Sequence, residues 1–277
     1  MRKARNHSIE GGRRYDRAVR TAVITGGSSG IGLAVARALA RRGGWELILA
    51  ARRPGPLAAA AAELGAVGVE SDVTDDSAVA RLVSAARAAG GCDLLVQSAG
   101  SPARSNVLQA DPALYRSAIE THYIALVRVA TAFWPLLEES RGRLVPVVSV
   151  AGTVALAPSA PYAAAKSATL SWARSYGAAA REHGVAVTIV NPGPVATPGF
   201  PQTALLRSRW GRLLVVDPER CAERLLAAAD RRAPEVFVPQ WWRVAAALQG
   251  AAPALTARVA ARAWRHEPRV RPEAASA

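Results

Sequence analysis

Tyr162 and Lys166 stand four residues apart in the stretch PYAAAKSATL, so on a helix their side chains leave one face together. A phenol titrates near pH 10 and is a poor proton donor or acceptor at neutral pH. A neighbouring ammonium favours the phenolate and brings that proton within reach. The chain has 33 arginines and two lysines, Lys3 and Lys166, and Lys3 lies in the polar N-terminal stretch. Lys166 is thus the one lysine of the body. A guanidinium cannot release a proton in this range, which accounts for an amine kept here among arginines. Ser149 ends the apolar run RLVPVVS, 13 residues before Tyr162. From a strand's carboxyl end its hydroxyl can bond a carbonyl oxygen and steady developing negative charge. Alone, it reads more simply as a serine in a strand-to-loop turn.

A second group of residues suits phosphate. Gly26, Gly30 and Gly32 follow the β-branched run TAVIT and precede AVARALARR, which has helical apolar spacing. Glycines between a first strand and a first helix let the backbone turn sharply and approach a pyrophosphate. The helix N-terminus beyond them offers N–H groups and a positive dipole end. An NAD site places an acid about 20 residues later to accept the ribose hydroxyls. Here the second strand, ELILA, runs into Arg52 and Arg53, and a guanidinium suits a 2′-phosphate. NADP(H) is therefore favoured over NAD(H). Asp72 and Val73 follow the third strand run. Asp72 reads equally as a neighbour of the adenine or as a cap for the helix starting near Asp75.

The elements that must position these residues alternate. TAVIT (21–25), ELILA (46–50), VGVE (67–70), DLLVQ (93–97), RLVPVVSV (143–150), VAVTIV (185–190) and EVFV (235–238) read as strands. Ala-rich stretches near 56–64, 75–90, 112–137, 160–183 and 217–232 read as helices. Strand runs that are apolar throughout predict cover on both faces. Repeated strand–helix units predict right-handed crossovers and an α/β fold with a parallel sheet. The division expected is a basic tail over 1–20, one nucleotide-binding catalytic unit over 21–240 and a C-terminal helical extension with a basic tail over 241–277. The segment from Trp241 to Trp264 breaks at Gly250–Pro253. It reads as a helix pair covering the substrate side or a dimer partner, with peripheral membrane contact as the alternative.

Composition sets outer bounds. The net charge is +14, but residues 1–20 carry +5 of it and residues 258–277 carry +3, leaving +6 for the long stretch between. Nucleic-acid binding through the tails is the less economical reading. Two cysteines, Cys92 and Cys221, exclude a disulfide framework and a four-cysteine zinc site, and no metal is expected. No run of 18 uncharged apolar residues predicts a spanning helix, and the first residues lack the apolar core of a secretory signal. A cytoplasmic location is the expectation.

TGGSSGIG at 25–32, DV at 72–73, SAG at 98–100, Ser149 with VAG following, YAAAK at 162–166 and NPGPVATP at 191–198 together resemble the short-chain dehydrogenase/reductase family. The resemblance implies a Rossmann-type, doubly wound parallel sheet of about seven strands with helices on both faces and a nicotinamide cofactor, with Ser149, Tyr162 and Lys166 catalytic. It places Gly26, Ser28, Ser29, Gly30, Ile31, Gly32, Arg52, Arg53, Asp72, Val73, Ser98, Ala99 and Gly100 on the cofactor. Pro192, Gly193, Val195 and Thr197 would border its nicotinamide end, where Tyr162 and Lys166 also bind. Two departures stand out. The family's Asn-Asn-Ala-Gly is here Gln97-Ser98-Ala99-Gly100, and its fourth catalytic residue, an asparagine that helps hold a water linking lysine to solvent, is here His122. That histidine is a tolerated substitute, a proton relay or a mark of slowed turnover.

The expected activity is NADP(H)-dependent interconversion of a carbonyl and an alcohol. Residues 199–216, with Phe200, Pro201 and Trp210, are expected to form a substrate lid. Their apolar character hints at a lipophilic substrate, while Arg207, Arg209 and Arg212 leave acidic ones open. A homodimer or homotetramer follows from the resemblance. The alternatives are a dinucleotide-binding regulatory protein with weak turnover and an NAD(H)-dependent dehydrogenase of the same fold.

Overall fold

The computed structural model describes residues 19–103, 111–154 and 159–264. Residues 1–18 and 265–277, which make up most of the two basic tails, lie outside the described residues, as do the side chains of Trp210, Arg262 and Trp264.

Strand β1 (Arg20–Thr25) is followed by α1 (Gly30–Arg42), β2 (Trp45–Ala51), α2 (Pro54–Leu64), β3 (Val67–Glu70), α3 (Asp76–Ala88) and β4 (Leu94–Gln97). One long helix then runs through α4 (Pro112–Ile119), a π-helical turn at Glu120–Ile124 and α5 (Ala125–Ser140). Next come β5 (Arg143–Pro146), a 3₁₀ turn at Val150–Gly152, α6 (Ala160–Glu182), β6 (Ala186–Val187) and β7 (Ile189–Pro192). Short helices α7 (Thr203–Leu206) and α8 (Arg209–Leu214) precede α9 (Pro218–Asp230), β8 (Glu235–Val238), α10 (Trp242–Ala251) and α11 (Pro253–Trp264). Asp75, Asp111 and Asp217 start α3, α4 and α9 by accepting the backbone N–H two residues on, and proline at the next position readies α4 and α9.

The parallel sheet has the order β3-β2-β1-β4-β5-β6. Successive residues of a strand face opposite sides. Ala22, Ile24, Leu47 and Leu49 therefore join one apolar layer with α1 and α9, while Val23, Ile48 and Leu95 join another with α3, α5 and α6. Phe133, Leu137 and Leu225 are fully buried in these layers, each contributing roughly 1.5–3 kcal/mol. This double cover is why the strands read as continuous apolar runs.

The main sheet has six strands, not about seven, and β7 pairs with β8 in a two-stranded sheet beside it. The run VAVTIV, one strand by pattern, is split at Thr188. The cause is Pro146. Thr188 donates to the Leu144 carbonyl at 2.9 Å, and Val148 donates to Val190 at 2.8 Å. The ladder position between them belongs to Pro146, which has no N–H to give to Thr188. A bridge between Val147 and Val190 resumes the pairing.

Chain order reverses between β1 and β4. The carboxyl ends of these strands form the crevice where open α/β sheets bind ligands.

Candidate active site

Three elements bring Ser149, Tyr162 and Lys166 together. Ser149 lies beyond β5, where its hydroxyl accepts the Ala151 N–H at 3.1 Å and leans toward the Pro192 carbonyl at 3.5 Å. Tyr162 and Lys166 leave α6 one turn apart, and the Tyr162 and Ser149 side chains are hydrogen-bonded. Gly152 seats α6 closely, since a Cβ there would lie 2.8 Å from the Lys166 carbonyl. Ser167 donates to the Gly152 carbonyl at 3.0 Å.

The electrostatics differ from the sequence expectation. Lys166 is buried, donates to the Val147 carbonyl at 2.8 Å, and holds its amine 5.6 Å from the Tyr162 ring centroid. Burial lowers the amine to about 7. Burial raises the Tyr162 phenol to about 12, and the bond from Ser149 pulls the other way without reversing it. The ammonium therefore does not draw the phenol down in this arrangement. One of its N–H groups is held by a backbone oxygen, and burial penalises charge on both partners. At neutral pH the phenol keeps its proton, which is the form able to donate.

His122 occupies the π-helical turn, a distortion often found at functional positions. Its ring stands edge-on to Tyr162 with centroids 4.9 Å apart, and its Nε2 meets the Ser101 carbonyl at 2.9 Å. A carbonyl only accepts, so Nε2 carries the hydrogen and Nδ1 is a bare, buried acceptor. Burial, with the Lys166 charge adding to it, lowers the imidazole to about 3. The His122 carbonyl accepts the Thr169 hydroxyl at 2.9 Å, tying the turn to α6. Gly100 is forced to be small, because a Cβ there would lie 2.8 Å from the imidazole Cε1.

The glycine loop meets β4 across the crevice. Gly26 has φ +69°, and a Cβ on it would lie 2.9 Å from the Ala99 nitrogen. A Cβ on Gly32 would lie 2.4 Å from the Gly26 carbonyl and 2.5 Å from the Ser98 hydroxyl, which itself donates to Thr25 at 2.7 Å. At Gly30, φ +56°, the nearest atoms belong to Thr197. Ser28, Ser29 and Ile31 complete the loop; Ser29 precedes α1 without a side-chain cap, and no acid enters the first turn. This cradle of bare backbone at an uncapped helix start fits a pyrophosphate.

Arg52 and Arg53 are exposed just past β2. Burial pushes the Asp72 carboxyl up, but bonds from the Thr74 N–H and hydroxyl, aided by Arg52, bring it below the usual range. Asp72 does not cap α3; Asp75 does. Val73 is buried beside it. Pro192 ends β7 and Gly193 follows it, its N–H donating to the Val238 carbonyl at 2.8 Å. Val195 pairs with Val216 at the base of an excursion that contains α7 and α8. Thr197 and Phe200 exchange backbone bonds at its start, and Phe200 lies over Tyr162 with centroids 5.7 Å apart. Arg207, Arg209 and Arg212 are exposed on it.

Some contributors escape a reading of the sequence. The Val147 and Ser101 carbonyls carry no side-chain signal. Thr169, three residues after Lys166, could have been found from helical spacing. A separate cavity of about 280 Å³, lined in part by Arg20, Asp93, Arg143 and Asp230, lies at the amino ends of the strands. Its Arg143–Asp230 pair is 2.6 Å apart, and Arg20 lies over Trp45. It holds none of the groups above.

The sequence profile described as short chain dehydrogenase matches residues 20–204. A cis-4-hydroxycyclohexanecarboxylate dehydrogenase of Sinomonas cyclohexanicum is 36% identical over 229 residues, 77% of this chain and 90% of that protein. A short chain dehydrogenase from Burkholderia cenocepacia, solved in complex with NADP, has a TM-score of 0.74 at 28% identity, covering 87% of this chain and 97% of that one. A variant of actinorhodin polyketide ketoreductase, solved with NADPH, has a TM-score of 0.73 at 25% identity, covering 81% and 97%.

Proposed function

The chain belongs to the short chain dehydrogenase family, and from this we propose that it interconverts a carbonyl and an alcohol with NADP(H) as redox partner. The observation that carries this reading is the meeting of Ser149, Tyr162 and Lys166 beside a glycine cradle that reaches Thr197. The bound nicotinamide would supply the hydride for reduction and accept it for oxidation. Gly26, Gly30 and Gly32 with the start of α1 would hold its pyrophosphate. Ser98, Ala99 and Gly100 would line the crevice, and Pro192, Gly193, Val195 and Thr197 its nicotinamide end.

The protein's own part is proton and charge management. Ser149 donates to the carbonyl oxygen and steadies the negative charge that grows there. Tyr162 hands the same oxygen its proton, and the raised phenol value keeps that proton in place at neutral pH. A protonated phenol is the form that carbonyl reduction draws on. Lys166 holds the base of the site through Val147 and is placed to reach ribose hydroxyls. Phe200 covers the Tyr162 ring and, with Pro201, gives the substrate side an apolar wall that suits a lipophilic carbonyl.

Arg52 and Arg53 support the choice of NADP(H). They are exposed at the end of β2, and neither makes an ion pair among the described residues, so both are available to a 2′-phosphate. The two similar solved structures, which hold NADPH and NADP, support the same choice. The test is oxidation of NADPH and NADH across a panel of aldehydes and ketones. Faster NADPH oxidation is expected with at least one of them. Tight NADPH binding with no turnover on any would favour the regulatory reading instead.

A further inference from the structure

Helices α10 and α11 leave the end of β8 and bury no residue among those whose side chains are described. Trp242 roots them, since a Cβ on Gly193 would lie 2.4 Å from its Nε1, and Trp241 stacks on it at 4.3 Å. Beyond that root the apolar side chains face outward. Trp241, Val244 and Leu248 recur on one side of α10 and are 43%, 62% and 50% exposed, and Leu255 of α11 is 57% exposed. Helices of 10 and 12 residues hold little stability in water without packing, and clustered apolar exposure of this kind marks an interaction face.

The charge pattern selects the partner. Residues 241–264 contain Arg243, Arg258 and Arg262 and neither Asp nor Glu. A second copy docked through the same face about a two-fold axis would set this arginine-only segment against itself, with no carboxylate in it to pair. A bilayer with anionic headgroups supplies both missing components, an apolar boundary and negative charge. No helix among the described residues is long and apolar enough to cross a membrane. We propose that α10 and α11 form a peripheral docking surface for anionic lipid, with Trp241, Val244 and Leu248 in the headgroup–acyl boundary and Arg243 and Arg258 against lipid phosphates.

The experiment is co-sedimentation of the full chain with phosphatidylcholine vesicles, with and without phosphatidylglycerol. Pelleting is expected with the anionic vesicles and should weaken as salt rises. Substituting Trp241→Ser, Val244→Ser and Leu248→Ser together should weaken partitioning roughly a hundredfold. Arg243→Gln with Arg258→Gln should weaken it about thirtyfold. NADPH affinity should stay unchanged in both variants, which shows that the body is folded. The proposal is overturned if the full chain does not pellet with anionic vesicles, or if the apolar triple variant pellets as well as the parent. It is equally overturned if vesicles are ignored while the triple variant turns a dimer into a monomer in gel filtration, which would assign the face to a second copy.

Discussion

Burial takes Lys166 from an ordinary value of 10.5 down to about 7. Between these two pH values the unfolded chain binds a proton that the folded chain does not, so stability rises with pH across that window. Below about pH 7 both states are protonated and the cost of a buried ammonium is felt in full. The melting temperature should therefore climb between about pH 7 and pH 10, and Lys166→Met should flatten the climb while removing turnover. Parallel melting curves for parent and variant would show that the amine is solvated. His122, at about 3, is neutral at any pH where the protein would be assayed. His122→Asn should keep the shape of the pH–rate profile between about pH 5 and pH 9 and lower only its level, because the tie to Ser101 is lost. A limb that vanishes from the profile would identify the imidazole as a relay.

At the level of elements, the loop between β1 and α1 depends on backbone where side chains would otherwise stand. Gly32→Ala would put a Cβ 2.4 Å from the Gly26 carbonyl, forcing the loop away from Ser98. The expected outcome is NADPH affinity at least about tenfold weaker and a stability loss of about 1–3 kcal/mol, read by titration and thermal melting. Unchanged affinity would show that the cradle lies elsewhere. The glycines were legible in the sequence because their conformation and spacing leave few alternatives. The strands and long helices were legible for a similar reason, as apolar periodicity reports two covered faces. The split of VAVTIV at Thr188 was not, because its cause, Pro146, sits on the neighbouring strand and acts only once the two are paired. The π-helical turn around His122 left no mark on the periodicity of residues 112–137. Helices α7 and α8 are too short to show a pattern. The pairing of Tyr162 with Lys166 was visible from spacing, but the diversion of the amine to Val147 was not, since a carbonyl has no residue type. Burial of both partners, which spacing does not report, reverses the expected direction of the phenol's shift.

Across the whole molecule, the proposed function is confined to one end of the sheet. The carboxyl ends carry Ser149, Tyr162, Lys166 and the glycine loop, while the amino ends carry the 280 Å³ cavity with its Arg143–Asp230 pair. In the proposed function, the choice between dinucleotides is assigned to a charge outside the chemistry, at the end of β2. Arg52→Asp should raise the Michaelis constant for NADPH by at least about tenfold and leave that for NADH nearly unchanged, as expected for a lost charge-assisted contact to phosphate. Equal effects on both cofactors would remove Arg52 from the selection. Most direct for the central claim is a paired measurement on Tyr162→Phe, with NADPH binding by fluorescence titration beside carbonyl reduction. The account predicts a dissociation constant within about twofold of the parent and turnover lower by about 10²–10⁴. Undiminished reduction by the phenylalanine variant would contradict it.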